Sequence, residues 1–113
     1  MLIEKIVLDY LTSALSVPAY VEQPKSGSKY VVFRVIDRGK TNHVEAVTIE
    51  FYSYGASKLE AATVDQELRG VMENILSLPE ISSVRFGGGN DAKDEELKRY
   101  RYRSYFNITI MEV

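Results

Sequence analysis

The chain has 113 residues, 45% of them hydrophobic and 27% charged, with a formal net charge of −2 and no cysteine. Such values describe one ordinary globular domain, 1–113, able to bury roughly two-thirds of the surface of its unfolded chain. They exclude a disulfide frame, thiolate metal ligation and a cysteine nucleophile, and the net negative charge argues against general attraction to nucleic acid or anionic lipid.

The opening run MLIEKIVLDYLTSALSV carries Glu4, Lys5 and Asp9 within its apolar part, so it reads as neither a secretory signal nor a membrane span. Leu2, Ile3, Ile6, Val7, Tyr10, Leu11, Ala14 and Leu15 recur at spacings of three and four, which predicts an amphipathic helix over residues 2–15. Pro18 ends it and biases Val17 to extended geometry, and a short strand over 19–22 follows. QPKSGSK is a turn, and YVVFRVID, β-branched and aromatic, is a strand over 30–37. RGKTN breaks that strand. In HVEAVTIEFYSY the residues Glu45, Thr48 and Glu50 are set among Val47, Ile49 and Phe51, the pattern of a half-buried antiparallel strand that Gly55 closes.

The second helix has the clearest local signature. Ser57 as N-cap and Glu60 three residues later form a capping box. Leu59, Ala62, Leu68, Val71, Met72, Ile75 and Leu76 are its expected buried stripe, and Pro79 stops it. Its outer face is expected to be acidic, with Glu60, Asp65, Glu67 and Glu73 against Lys58 and Arg69. ISSVRF reads as a short strand, GGGNDAKDEELK as a connection mobile in the free protein and ordered on assembly, and residues 99–111 as the last strand. No repeat recurs along the chain. The order α-β-β-β-α-β-β predicts an α+β two-layer sandwich, a mainly antiparallel sheet with both helices on one face.

Little in the chain points to chemistry. FGGGND lacks the Gly-Lys-Ser/Thr of a phosphate loop and reads as a flexible connection. His43, the only histidine, has no second histidine for a metal site and no nucleophile motif around it, so it reads as a polar residue flanking a turn. No pair of carboxylates is marked for acid and base work, and we expect no enzyme activity, no metal and no cofactor.

The run KRYRYRSYFNITI looks at first like a nucleic-acid surface. On an extended chain, however, Tyr100, Tyr102, Phe106, Ile108 and Ile110 project to one face while Arg99, Arg101, Arg103, Tyr105, Asn107 and Thr109 project to the other. The aromatics are then expected in or near the core, and the arginines form an outward ladder, unlike an RNA platform whose exposed rings stack on bases. Like charges in line on one face repel, so the ladder implies an acidic counterpart. Pairing with Glu45 or Glu50 on a neighbouring strand is the simplest; the acidic face of helix 2 in another subunit, the DAKDEE segment and nucleic acid are the others.

NHVEAVTIEFYSYGASKLEAATVDQELRGVM, LPEISSVRFGGG and KRYRYRSYFNITI, taken in this order, resemble the small tail-completion or tail-terminator proteins encoded in the head-to-tail gene cluster of long-tailed phages and their prophages. The resemblance spans nearly the whole chain and involves no catalytic residue. It implies a structural α+β subunit, resident in the virion and assembled in the host cytoplasm. Such subunits form a ring, commonly a hexamer, that caps the tail tube, faces the head-tail connector and surrounds the path of the DNA. A ring joins unlike surfaces. On that reading the contact residues are Arg99, Arg101, Arg103 and Tyr105 on one side and Glu67, Glu73, Asp94 and Glu95 on the other. A neck or head-closure subunit and a small nucleic-acid-binding module using the three arginines are the rival expectations.

Overall fold

The computed structural model describes residues 2–93, 95 and 99–111. Two helices lie on one face of a five-stranded sheet, the two-layer α+β arrangement expected. The chain runs α1 (Ile3–Ala14), β1 (Ala19–Tyr20), β2 (Tyr30–Thr41), β3 (Val44–Gly55), α2 (Lys58–Glu73), a 3-10 turn (Asn74–Ser77), β4 (Ile81–Asp91) and β5 (Tyr100–Met111). The strand order is β1-β2-β3-β5-β4, antiparallel throughout except for the short parallel pair β1-β2.

The core lies between the layers. Ile3, Val7 and Leu11 of α1 and Leu15 just past its end fall at intervals of four, and with Ala61, Val64, Leu68 and Met72 of α2 they cover Val31, Phe33, Val47, Ile49, Phe51, Phe106, Ile108 and Ile110. Phe51 and Phe106 meet edge-on with centroids 5.7 Å apart, and Phe86 meets Phe106 at 5.4 Å. The helices are also tied by polar contacts. Tyr10 Oη donates to the Val71 carbonyl at 2.6 Å, and burial pushes that phenol above its usual value. Ser57 accepts from the Glu60 amide, while Glu60 Oε1 accepts from the Ala56 amide, a capping box one residue wider than expected.

The strands exceed their sequence-based limits. RGKTN does not break β2, which continues to Thr41; the reversal is a two-residue turn with Asn42 at φ 50° and His43 at φ 67°. This left-handed pair suits the twist of a two-residue hairpin and places His43 in the turn itself. The glycine run is likewise strand rather than loop: β4 extends through Asp91, with a register shift between Phe86 and Gly88 and Gly88 at φ 124°. A bulge absorbs the irregularity that glycine suggests. Of the connection expected to be mobile, 94 and 96–98 lie outside the described residues. β1 is shorter than expected, ending at Tyr20. Leu59 and Leu76, expected in the buried stripe of helix 2, are 78% and 50% exposed, because Ala61, Val64 and Leu68 face the sheet and the helix tightens into a 3-10 turn after Glu73.

Candidate assembly surface

With both helices on one side, the opposite face of the sheet has no helix layer, although at its β1 end Tyr30 and Tyr54 are buried, with Gln23 and Arg99 bonded to the Tyr30 hydroxyl. β5 presents Arg101, Arg103, Tyr105, Asn107 and Thr109 there, while Ser104, Phe106, Ile108 and Ile110 are buried on the helix side. The two-sided reading of this strand therefore holds from Arg103 to Ile110. It fails at the near end for the tyrosines. Tyr100 is 37% exposed, with Lys93 Nζ 5.3 Å from its ring centroid, and Tyr102 is only half-buried.

The arginines do not stand as a bare ladder. Aromatic residues from β2 and β3 share their face, since register pairs Tyr54 with Arg101, Tyr52 with Arg103 and Glu50 with Tyr105. The Arg101 guanidinium lies 4.2 Å over the Tyr52 ring, and Arg103 lies 5.1 Å over Tyr105. Two of the three are used internally. Arg99 donates to the Gly27 carbonyl at 2.5 Å and to Tyr30 Oη at 3.1 Å, fastening the β1-β2 loop. Arg101 donates to the Ala92 carbonyl at 2.6 Å and to Tyr54 Oη at 3.2 Å, fastening the end of the β4-β5 hairpin. Among the described residues, the one hydrogen bond of Arg103 is a long contact to Asn90 Oδ1, 3.4 Å, and its Nε has no partner.

The expected neutralisation by Glu45 or Glu50 is not observed. Glu50 is buried, but its partner is Arg34 of β2, with Nε 2.8 Å from Oε1. The carboxylate and the adjacent burial push the Tyr105 phenol up, burial being the larger cause. Glu45 pairs in register with Ile110, on the helix side of the sheet. Arg34 thus joins the surface, as does Tyr52. Both were missed by considering β5 alone, although the even-numbered positions 50, 52 and 54 of β3 alternate with Phe51 and Ser53 and carry the same signal.

The acidic outer face expected of helix 2 also dissolves. Asp65 is buried against β5, 2.9 Å from Arg69 Nε, and its carboxyl is raised above the usual range, chiefly by burial. Glu67 accepts from both the Ser16 amide (2.8 Å) and the Ser16 hydroxyl (2.7 Å), closing the end of α1 onto α2. Glu73 is exposed at the end of α2 and Glu95 is exposed in a turn, whereas Asp94 lies outside the described residues. Among the described residues, no helix is long and apolar enough to cross a membrane, and no three His, Cys, Asp or Glu are placed to hold a metal. The chain matches no family model and no curated protein.

Proposed function

We propose that this chain is a structural subunit of a phage tail or neck, a tail-terminator or tail-completion protein that assembles as a ring in the virion and performs no chemistry. The observation that carries the reading is the sheet face without a helix layer, on which rings hold guanidinium groups in place. Stacking removes side-chain freedom before contact, so little is lost when a partner docks. The partners on this reading are further copies of the chain, the tail tube and the head-tail connector. The test is mass by light scattering over a concentration range, with negative-stain imaging of the protein alone and with tail tube protein. Rings are expected; a monomer under all these conditions refutes the proposal.

A nucleic-acid module is the second reading, favoured by the spare donors of Arg34 and Arg103. Against it, Tyr30 and Tyr54 stack on each other at 4.6 Å and are almost completely buried, so they offer no surface to bases. A salt-dependent shift of labelled DNA, abolished by alanine at Arg99, Arg101 and Arg103, would favour that module over the ring.

A further inference from the structure

We infer that chains join head to tail, the helix-free sheet face of one copy receiving an acidic corner of a second copy, with Val32, Arg34, Tyr52 and Arg103 meeting Glu73, Leu76 and Glu80. The inference rests on the proposal that this protein assembles, and it specifies the contact.

The receiving side is a hollow of ≈ 320 Å³ between the sheet and the start of the β1-β2 loop, lined by Val21, Val32 and Tyr52 with Arg34 and Arg101 at its rim. Arg103 adjoins it through its register with Tyr52. Among the described residues, Arg34 bonds through Nε to Glu50 with no bond from its two terminal nitrogens, and the hydrogen bonding of Arg103 is the one long contact to Asn90. The nearby carboxylates are Glu50, already taken by Arg34, and the exposed Glu22 at the rim. Val32 and Tyr52 thus lie beside the guanidinium groups of Arg34 and Arg103, which have unused donors among the described residues.

The inserting side is built by the 3-10 turn. Ile75 anchors that turn in the core, and a tight step of about 120° per residue then turns Leu76 outward, where it is 50% exposed. Glu73 precedes it and Glu80 follows it. Neither glutamate side chain has a hydrogen bond or ion pair among the described residues. The corner is thus one apolar side chain between two free carboxylates, the complement of the hollow in both polarity and charge.

Position decides that a second copy is needed. Val32 and Tyr52 pair near the β1 end of the sheet, while the Met111 amide donates to the Glu80 carbonyl at the opposite end. The molecule is elongated, 43 × 24 × 23 Å, so one copy cannot bring its own corner to its own hollow. Two unlike surfaces at opposite ends and on opposite layers make a heterologous contact, which closes into a ring or continues as a filament. Nucleic acid fits less well, since a chain of net charge −2 repels a polyanion at range, whereas a second copy brings its own acidic corner.

Sedimentation and light scattering test the contact with Leu76→Ser, Arg103→Glu and the double variant Glu73→Arg/Glu80→Arg. Each is expected to weaken self-association about tenfold or more. Leu76 is exposed, so Leu76→Ser retains the fold even if Arg103→Glu does not. Arg103→Glu mixed with Glu73→Arg/Glu80→Arg should recover assembly that neither variant gives alone, since the mixture pairs each intact corner with an intact hollow and each reversed corner with a reversed hollow. A wild type that assembles while every variant assembles equally well overturns this contact but leaves the structural-subunit reading standing. A wild type monomeric up to roughly millimolar concentration overturns both. A labelled oligonucleotide bound by wild type and released by Arg103→Glu assigns the hollow to phosphate and overturns the self-contact.

Discussion

Gly55→Ala should be among the most damaging single-methyl changes in this protein, and Gly70→Ala should stabilise it. Gly55 ends β3 where the chain turns into α2, and a Cβ there would lie 2.4 Å from the Ala61 nitrogen, 2.8 Å from the Glu60 carbonyl carbon and 2.9 Å from Glu60 Cβ. Favourable carbon contacts begin at about 3.5 Å, so the first turn of α2 would have to retreat by about 1 Å. It is not free to do so. The turn is fixed by the Ser57-Glu60 capping bond and by the Ala61 amide on the Ser57 carbonyl at 2.9 Å, and Ala61 and Val64 just beyond are buried on the sheet. Overpacking against backbone sets the cost at about 3 kcal/mol, a large part of the 5–15 kcal/mol typical of a domain. Gly70 sits in the exposed interior of α2 with nothing within 4 Å of its would-be Cβ, so alanine there adds about 1 kcal/mol by restricting the unfolded chain. Urea unfolding of the two variants beside wild type measures both signs, with the m-value as a check on two-state behaviour. A Gly55→Ala protein within about 0.5 kcal/mol of wild type would refute the close seating of α2 on β3, and with it the position of the whole helix layer.

Asp65 gives a pH test. Its carboxyl is raised in the folded protein, so the native state binds more protons than the unfolded one between the unfolded and folded values, and stability falls as pH rises through that window. Relative to Asp65→Asn, wild type should therefore gain stability as pH drops from neutrality toward about 4, measured by urea midpoints at each pH; a constant difference refutes the assignment. Glu67→Ala removes both acceptors of Ser16 and should cost about 1–2 kcal/mol, most of it recovered by Glu67→Gln, in the same assay. Arg34→Ala leaves the buried Glu50 carboxylate without its ion pair and should cost about 1–2 kcal/mol after discounting for solvent around the guanidinium. Arg99→Ala should raise amide exchange in the β1-β2 loop without a comparable loss of global stability, since it fastens that loop through Gly27 and Tyr30.

What the sequence made legible follows the range of the forces involved. Both helices, the strand order along the chain and the inward face of β5 rest on periodicity within one element, and Phe106, Ile108 and Ile110 lie where alternation puts them. The full lengths of β2 and β4 were not legible, because Arg38 to Thr41 and Gly87 to Asp91 have composition typical of turns and are held as strand by pairing with β3 and β5. The same limit explains the surface. Charge on one helix suggested an acidic face, yet Asp65 is withdrawn by Arg69 and burial, and Glu67 by Ser16, a residue 51 positions away. Three arginines at alternate positions suggested a docking row. Their fates instead depend on what lies beside them: Gly27 and Tyr30 engage Arg99, Ala92 and Tyr54 engage Arg101, and Arg103 meets the Tyr105 ring and, at long range, Asn90. A guanidinium already bonded within its own chain holds that chain together and has less to offer a partner. In the proposed contact the part of this strand therefore falls chiefly on Arg103, with Arg34 beside it from β2, and a charge reversal at Arg103 should disturb the proposed assembly more than alanine at Arg99, whose loss is felt first in its own loop.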